Sequence, residues 1–135
     1  TKRASLNEAG RWVVEHSFAT GPMRVHANDQ LVTDFLESLP LHRVRAADLK
    51  ALYQAYIHRV EALLAARITA HFELPGSEAA GQRRREALGA YNTLTLELAA
   101  TIAKARKEKV TQRAVALQLE VQRITNDLAG RKQQL

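Results

Sequence analysis

Cysteine is absent from this chain, which rules out disulfides and thiolate metal sites. Proline appears three times and glycine six times, and neither occurs between Gly89 and Gly130. A stretch that long without either residue, rich in Ala, Leu, Glu, Lys, Arg and Gln, suits no regular structure except helix. Aromatic residues make up only 5% of the chain. Most of them (Tyr53, Tyr56, Tyr91, Phe35 and Phe72) fall on apolar helical stripes, so base stacking on an aromatic platform is not expected. No apolar run is long enough to span a membrane, and the first twenty residues lack the apolar block of a signal peptide. The chain opens on Thr1 and not on methionine, so a preceding segment is expected, and the compartment expected is the cytoplasm.

Catalytic patterns are missing as well. Serine is scarce and sits in caps or connectors, and no glycine-rich loop follows a strand to cradle a phosphate. His16, His26, His42, His58 and His71 stand apart, outside any Glu-x-x-His or His-Glu-x-x-His pattern. His58 and Glu61, three apart on one helix, read as a surface pair. No enzyme activity, metal or cofactor is expected.

What is present is charge and helical periodicity. Twenty Lys and Arg against fourteen Asp and Glu leave a formal charge of +6, and five of those six excess charges lie after residue 76. A partner of negative charge is expected there. Arg83, Arg84 and Arg85 are consecutive near a helix N-terminus, where the macrodipole disfavours cations, so stability does not explain them. Lys104, Arg106, Lys107 and Lys109 form a second cluster that Arg113 and Arg123 extend. Such spacing suits a nucleic-acid backbone crossed at two points and held by its phosphates, without sequence readout.

The fold expected is all-α: a helical bundle built on a long antiparallel hairpin, with a C-terminal helix extending or folding back. It is read as one domain in three parts, residues 1–44 with short N-terminal helices, 45–109 with the hairpin, and 110–135 with the last helix. Leu6, Ala9 and Val13 are spaced for a helix. Arg11 to Phe18 is β-branched and aromatic enough for a strand; helix is the reading taken. Asn28 or Asp29 caps a helix with Leu31, Val32, Phe35, Leu36 and Leu39 inward, ended by Pro40. A helix from Ala46 to Glu73 then pairs with Glu78 to Ala105 across the short Leu74–Ser77 link.

In the last stretch Leu88, Tyr91, Leu94, Leu98, Ile102 and Ala105 draw one stripe, and Val110, Ala114, Leu117, Val121, Ile124 and Leu128 a second. The step of five between them throws the second stripe about a quarter turn out of line. Either the helix ends in the Lys104–Lys109 segment, with Thr111 as a new N-cap, or it runs straight and changes neighbour. Val110, Leu117, Val121, Ile124 and Leu128, together with Trp12, are therefore the residues expected to meet a partner. That partner is a second copy or a subunit of a larger complex. Two functions follow: a basic helical subunit on a nucleic-acid backbone, or a coiled-coil adaptor or chaperone whose cations only keep it soluble.

Overall fold

The computed structural model describes residues 2–6, 8–17 and 29–135. The chain divides into two compact units, Thr1–Gly81 and Gln82–Leu135. Among the described residues every regular element after Asp29 is helical, as the periodicity requires.

The first unit opens with an antiparallel hairpin of β1 (Lys2–Leu6) and β2 (Trp12–Ser17). This corrects the helix expected over Leu6–Val13. The Trp12-Val13-Val14 run prefers extended backbone, and Gly10 supplies the turn with φ +68°, a value that costs glycine little. Register runs from Leu6 opposite Trp12 to Lys2 opposite Ser17, with an irregularity between Arg3 and Ala4. The side chain of Trp12, one of the expected partner contacts, lies outside the described residues, as do those of His16 and His26.

Helix α1 (Gln30–Ser38) starts where expected: the Asp29 carboxylate accepts from the Val32 amide, and Val32 and Phe35 are buried. Its chain then passes Pro40 and makes a single 3-10 turn, Leu41–Arg43. Helix α2 (Leu49–Thr69) is shorter at both ends than the expected Ala46–Glu73. Asp48 caps it, its carboxylate accepting from the Ala51 amide at 2.7 Å, and Ala70 ends it in the left-handed region at φ +66°.

The buried face of α2 also departs from the apolar stripe. Ile57, Ala62, Leu63, Ala65 and Ala66 are inside, but so are Arg59 and Glu61, while Leu49 is 83% exposed. Arg59 explains its own burial. It donates from Nε to the Ser38 carbonyl at 2.8 Å and from its terminal nitrogens to the Ala55 and Arg43 carbonyls. Its guanidinium also lies over the Tyr56 ring, 5.9 Å from the centroid. One guanidinium thus ties the C-terminal end of α1 and the following turn to α2. Tyr56 adds a hydrogen bond to the Leu39 carbonyl at 2.9 Å, and Phe35 meets Phe72 edge to face at 6.3 Å.

Helix α3 (Glu78–Lys107) begins with the Ser77 hydroxyl accepting from the Ala80 amide. Its first turn lies against α2: His58 Nε2 stands 3.4 Å from Glu78 Oε2, and a Cβ at Gly81 would fall 2.9 Å from that same nitrogen. His58 thus lies close to Glu78, while Glu61, read from the sequence as its surface partner, is buried.

In the second unit the chain reverses at Glu108–Val110 and returns as α4 (Thr111–Lys132). Two contacts fix the pairing as antiparallel: Arg84 donates to the Leu135 carbonyl at 3.1 Å, and Arg123 lies 3.6 Å from Glu97. Of the two courses open to the last helix, folding back is the one taken. The helix break falls at the dislocation between the stripes. Val110, not Thr111, occupies the N-cap position, and no side chain of its own caps there. Glu108 instead ties the turn, its Oε1 accepting from the Lys109 and Val110 amides, both at 2.9 Å. A carboxylate next to the new helix N-terminus also suits the macrodipole.

Candidate nucleic-acid interface

The antiparallel pairing decides which cations come together, because it folds a linear list of basic residues into a pair of ends. At the turn end, Lys104, Arg106 and Lys107 close α3, Lys109 sits in the turn and Arg113 lies in the first turns of α4; all five are exposed. Cations in the last turn of α3 also face the negative end of its macrodipole, which favours them there. The one carboxylate in this segment, Glu108, is half-buried and accepts from the two backbone amides that follow it.

The opposite end regroups the arginine triplet. Arg83 is exposed, Arg84 is half-buried and held on the Leu135 carbonyl, and Arg85 is only 6% exposed. Arg85 reaches Gln82 Oε1 from inside, so the triplet does not present three cations side by side. In their place α4 brings Arg131 beside Arg83, the two sharing a recess with Glu86, Ala87 and Gln134. Lys132 follows at the end of α4, also exposed. Arg131 and Lys132 were not singled out from the sequence. The signal was there in the basic last turn of the final helix, but only a reversal after Lys107 carries it back to Arg83.

Between the two ends the surface is acidic and internally paired. Arg123 donates to Glu120 at 2.7 Å and to Asp127 at 2.9 Å, and lies near Glu97. The hydrogen bond from Arg123 holds the Glu120 carboxyl below the usual glutamate range. That bond, in turn, raises the Arg123 guanidinium further. A depressed carboxyl of this kind keeps its ion pair above the ordinary glutamate range and loses it as pH falls through the lowered value. All four groups are exposed, so the network orders the surface more than it stabilises the fold.

The seam residues proposed as partner contacts lie on the α4 face turned to α3. Ile124 is fully buried, Leu117, Val121 and Leu128 are half-buried, and Val110 at the turn is 50% exposed. The stripe on α3 answers them, with Leu88 buried and Tyr91, Leu94, Leu98, Ile102 and Ala105 half-buried. Exposed apolar side chains lie elsewhere, at Leu96, Val115 and Leu119.

A family model described as a domain of unknown function, DUF4391, matches residues 1–128. The chain belongs to the DUF4391 family. The match takes in the β-hairpin, α1 to α3 and most of α4, so both the Arg83–Arg85 and the Lys104–Arg113 segments lie within the family domain. Arg131 and Lys132 lie beyond the matched range. No curated protein and no solved structure matches the chain. Among the described residues no group of three or more His, Asp or Glu is placed to hold a metal ion, and no helix is long and apolar enough to cross a membrane.

Proposed function

We propose that this chain is a non-enzymatic basic subunit that contacts the phosphate backbone of nucleic acid through the ends of the α3–α4 hairpin, within an assembly of copies or of other proteins. One observation supports the reading: the turn end gathers five exposed cations against a single half-buried carboxylate, which is bonded to the backbone of its own turn. Each phosphate neutralised by such a cation releases counterions, so the affinity is salt-dependent and indifferent to sequence. Tyr91 is the sole aromatic residue after Gly81, and it is half-buried on the seam, so stacking adds little. Only this reading is carried forward, because the seam on which an adaptor would hold a partner helix faces α3.

The test is fluorescence anisotropy with a labelled 24-bp DNA of arbitrary sequence, read as log K against log salt. The expected affinity falls by about a thousandfold between 50 and 200 mM salt if about six phosphates are engaged. Replacing Lys104, Lys107 and Lys109 by Gln is expected to flatten the slope by two to three, about 0.9 per phosphate lost. The melting temperature should hold, since all three side chains are exposed. Affinity that does not change with salt, or that survives the triple replacement, would reject the reading.

A further inference from the structure

One side of the α3–α4 hairpin is complementary to itself when turned end over end. At its centre Ala90 on α3 and Gly130 on α4 line a groove of about 590 Å³ together with Leu94. A Cβ on Gly130 would meet nothing within 4 Å, so the groove is open above the backbone there. Arg83 lies seven residues before Ala90 and Glu97 seven after, heptad steps that keep all three on one face with a drift of about 20° per step. Arg131 and Asp127 flank Gly130 and line the same groove. The Arg123–Glu97 contact and the recess shared by Arg83 and Arg131 put the groups of both helices on this one side. Its charges are left unbalanced on either flank of the groove. Glu97, Glu120 and Asp127 share the single guanidinium of Arg123, so two carboxylates are in surplus. Arg83 and Arg131 have no ion-pair partner among the described residues, and Arg131 donates to Gln134 at 3.0 Å. The acid beside them, Glu86, is held by the Gln82 amide at 2.8 Å.

We infer that two copies of this chain pair through this side of the hairpin, antiparallel, about a two-fold axis that passes by Ala90 and Gly130. The rotation brings Arg83 level with the partner's Glu97, and the partner's Arg83 level with Glu97. It brings Arg131 within two residues, or about 3 Å, of the level of the partner's Asp127. Glu86 comes level with the partner's Leu94, where α3 carries no acid. The two cations of each copy thus meet the two surplus carboxylates of the other. A parallel arrangement would set cation on cation and acid on acid, so charge fixes the direction of pairing. Small residues at the axis let the backbones approach, and Leu94 supplies apolar surface to cover. An unrelated partner would have to carry the same order of cation, small residue and acid in reverse; a second copy has it by symmetry. The five cations of the turn end lie at least fourteen residues from Ala90 along the hairpin, beyond the paired stretch. This pairing gives a form to the assembly of copies in the reading above, in which the phosphate contact falls to the turn ends.

The measurement is sedimentation velocity of the full chain without nucleic acid, where a dimer with Kd on the order of micromolar is expected. Arg83→Glu alone and Glu97→Arg alone should each weaken it about tenfold or more, because like charges then face each other. The two together restore opposite charges and should return the affinity to within about threefold of the original. Since the chain holds no cysteine, Ala90→Cys places a single thiol at the axis, and mild oxidation should give a disulfide-linked dimer. Ala99→Cys, about 180° round α3 from Ala90, should not. The pairing would be overturned by a chain that stays monomeric at about a hundred times the expected Kd. It would also be overturned by a charge swap no better than either single reversal, or by cross-linking as ready at Ala99→Cys as at Ala90→Cys. A monomer that still binds DNA with a steep salt slope would remove the pairing alone, and a dimer that binds no DNA would remove the phosphate reading alone.

Discussion

At the scale of single residues, the close passage of α3 over α2 turns on a hydrogen atom in place of a methyl group. A Cβ on Gly81 would lie 2.9 Å from His58 Nε2, nearer than side chains normally approach. The helix itself would prefer alanine there by about 1 kcal/mol. The two effects have opposite signs and can be separated. Gly81→Ala is expected to destabilise the protein by about 1–2 kcal/mol, and to stabilise a His58→Ala background by about 0.5–1 kcal/mol, both measured by denaturant unfolding. An alanine that stabilises both backgrounds equally would show that the ring yields. This constraint was invisible in the sequence, where His58 looked like half of a surface pair with Glu61. Arg59 was hidden for the same reason: periodicity places apolar residues, but a buried arginine is satisfied by carbonyls that only the fold brings near. The caps at Asp29 and Asp48 were easier, because a short polar side chain bonding an amide three residues on is local chemistry. Asp29 was named from the sequence; Asp48 was passed over for a helix start at Ala46.

At the scale of elements, the two apolar stripes of the last stretch were legible, and so was the quarter-turn offset between them. Their being each other's partner was not. The expected mate of Glu78–Ala105 was the helix before it, whereas the antiparallel partner shown for residues 82–107 is α4. Helix α2, ended at Ala70 by a left-handed residue, leaves eight residues before Glu78, a longer link than the one inferred from Pro75 and Gly76. A strand was missed at Trp12–Ser17 because spacing was weighed above β-branching. The hairpin gives a sharp contrast between two aliphatic residues five apart. Ile124 is fully buried and Leu119 is 63% exposed. Ile124→Ala is expected to cost about 2–4 kcal/mol, and Leu119→Ala less than about 0.5 kcal/mol, by thermal or chemical denaturation. Similar costs at the two sites would mean that the exposed face of α4 is covered in solution.

At the scale of the molecule, the surplus of positive charge and its bias toward the residues after 76 were countable from the sequence. The arrangement was not countable. Arg85 turned inward, Arg131 joined Arg83 from the other helix, and Glu97, Glu120 and Asp127 were gathered around Arg123. Charge sums along a chain assign a sign to a region, while pairing of helices decides where a neighbour would feel it.

The reversal at Glu108–Val110 contains neither glycine nor proline, and its backbone amides are held by one glutamate. Nothing covalent or steric in those three residues opposes their joining the flanking helices. Straightened, Gln82 to Lys132 would form a rod of about 75 Å with both stripes bare. A second copy in the same state could cover them by accepting the first copy's α4 and lending its own. Refolding at high concentration, more so with Glu108→Ala, should therefore yield a domain-swapped dimer that reverts slowly on dilution, as read by mass in solution. A chain that stays single at every concentration would show the turn to be stiffer than its composition implies.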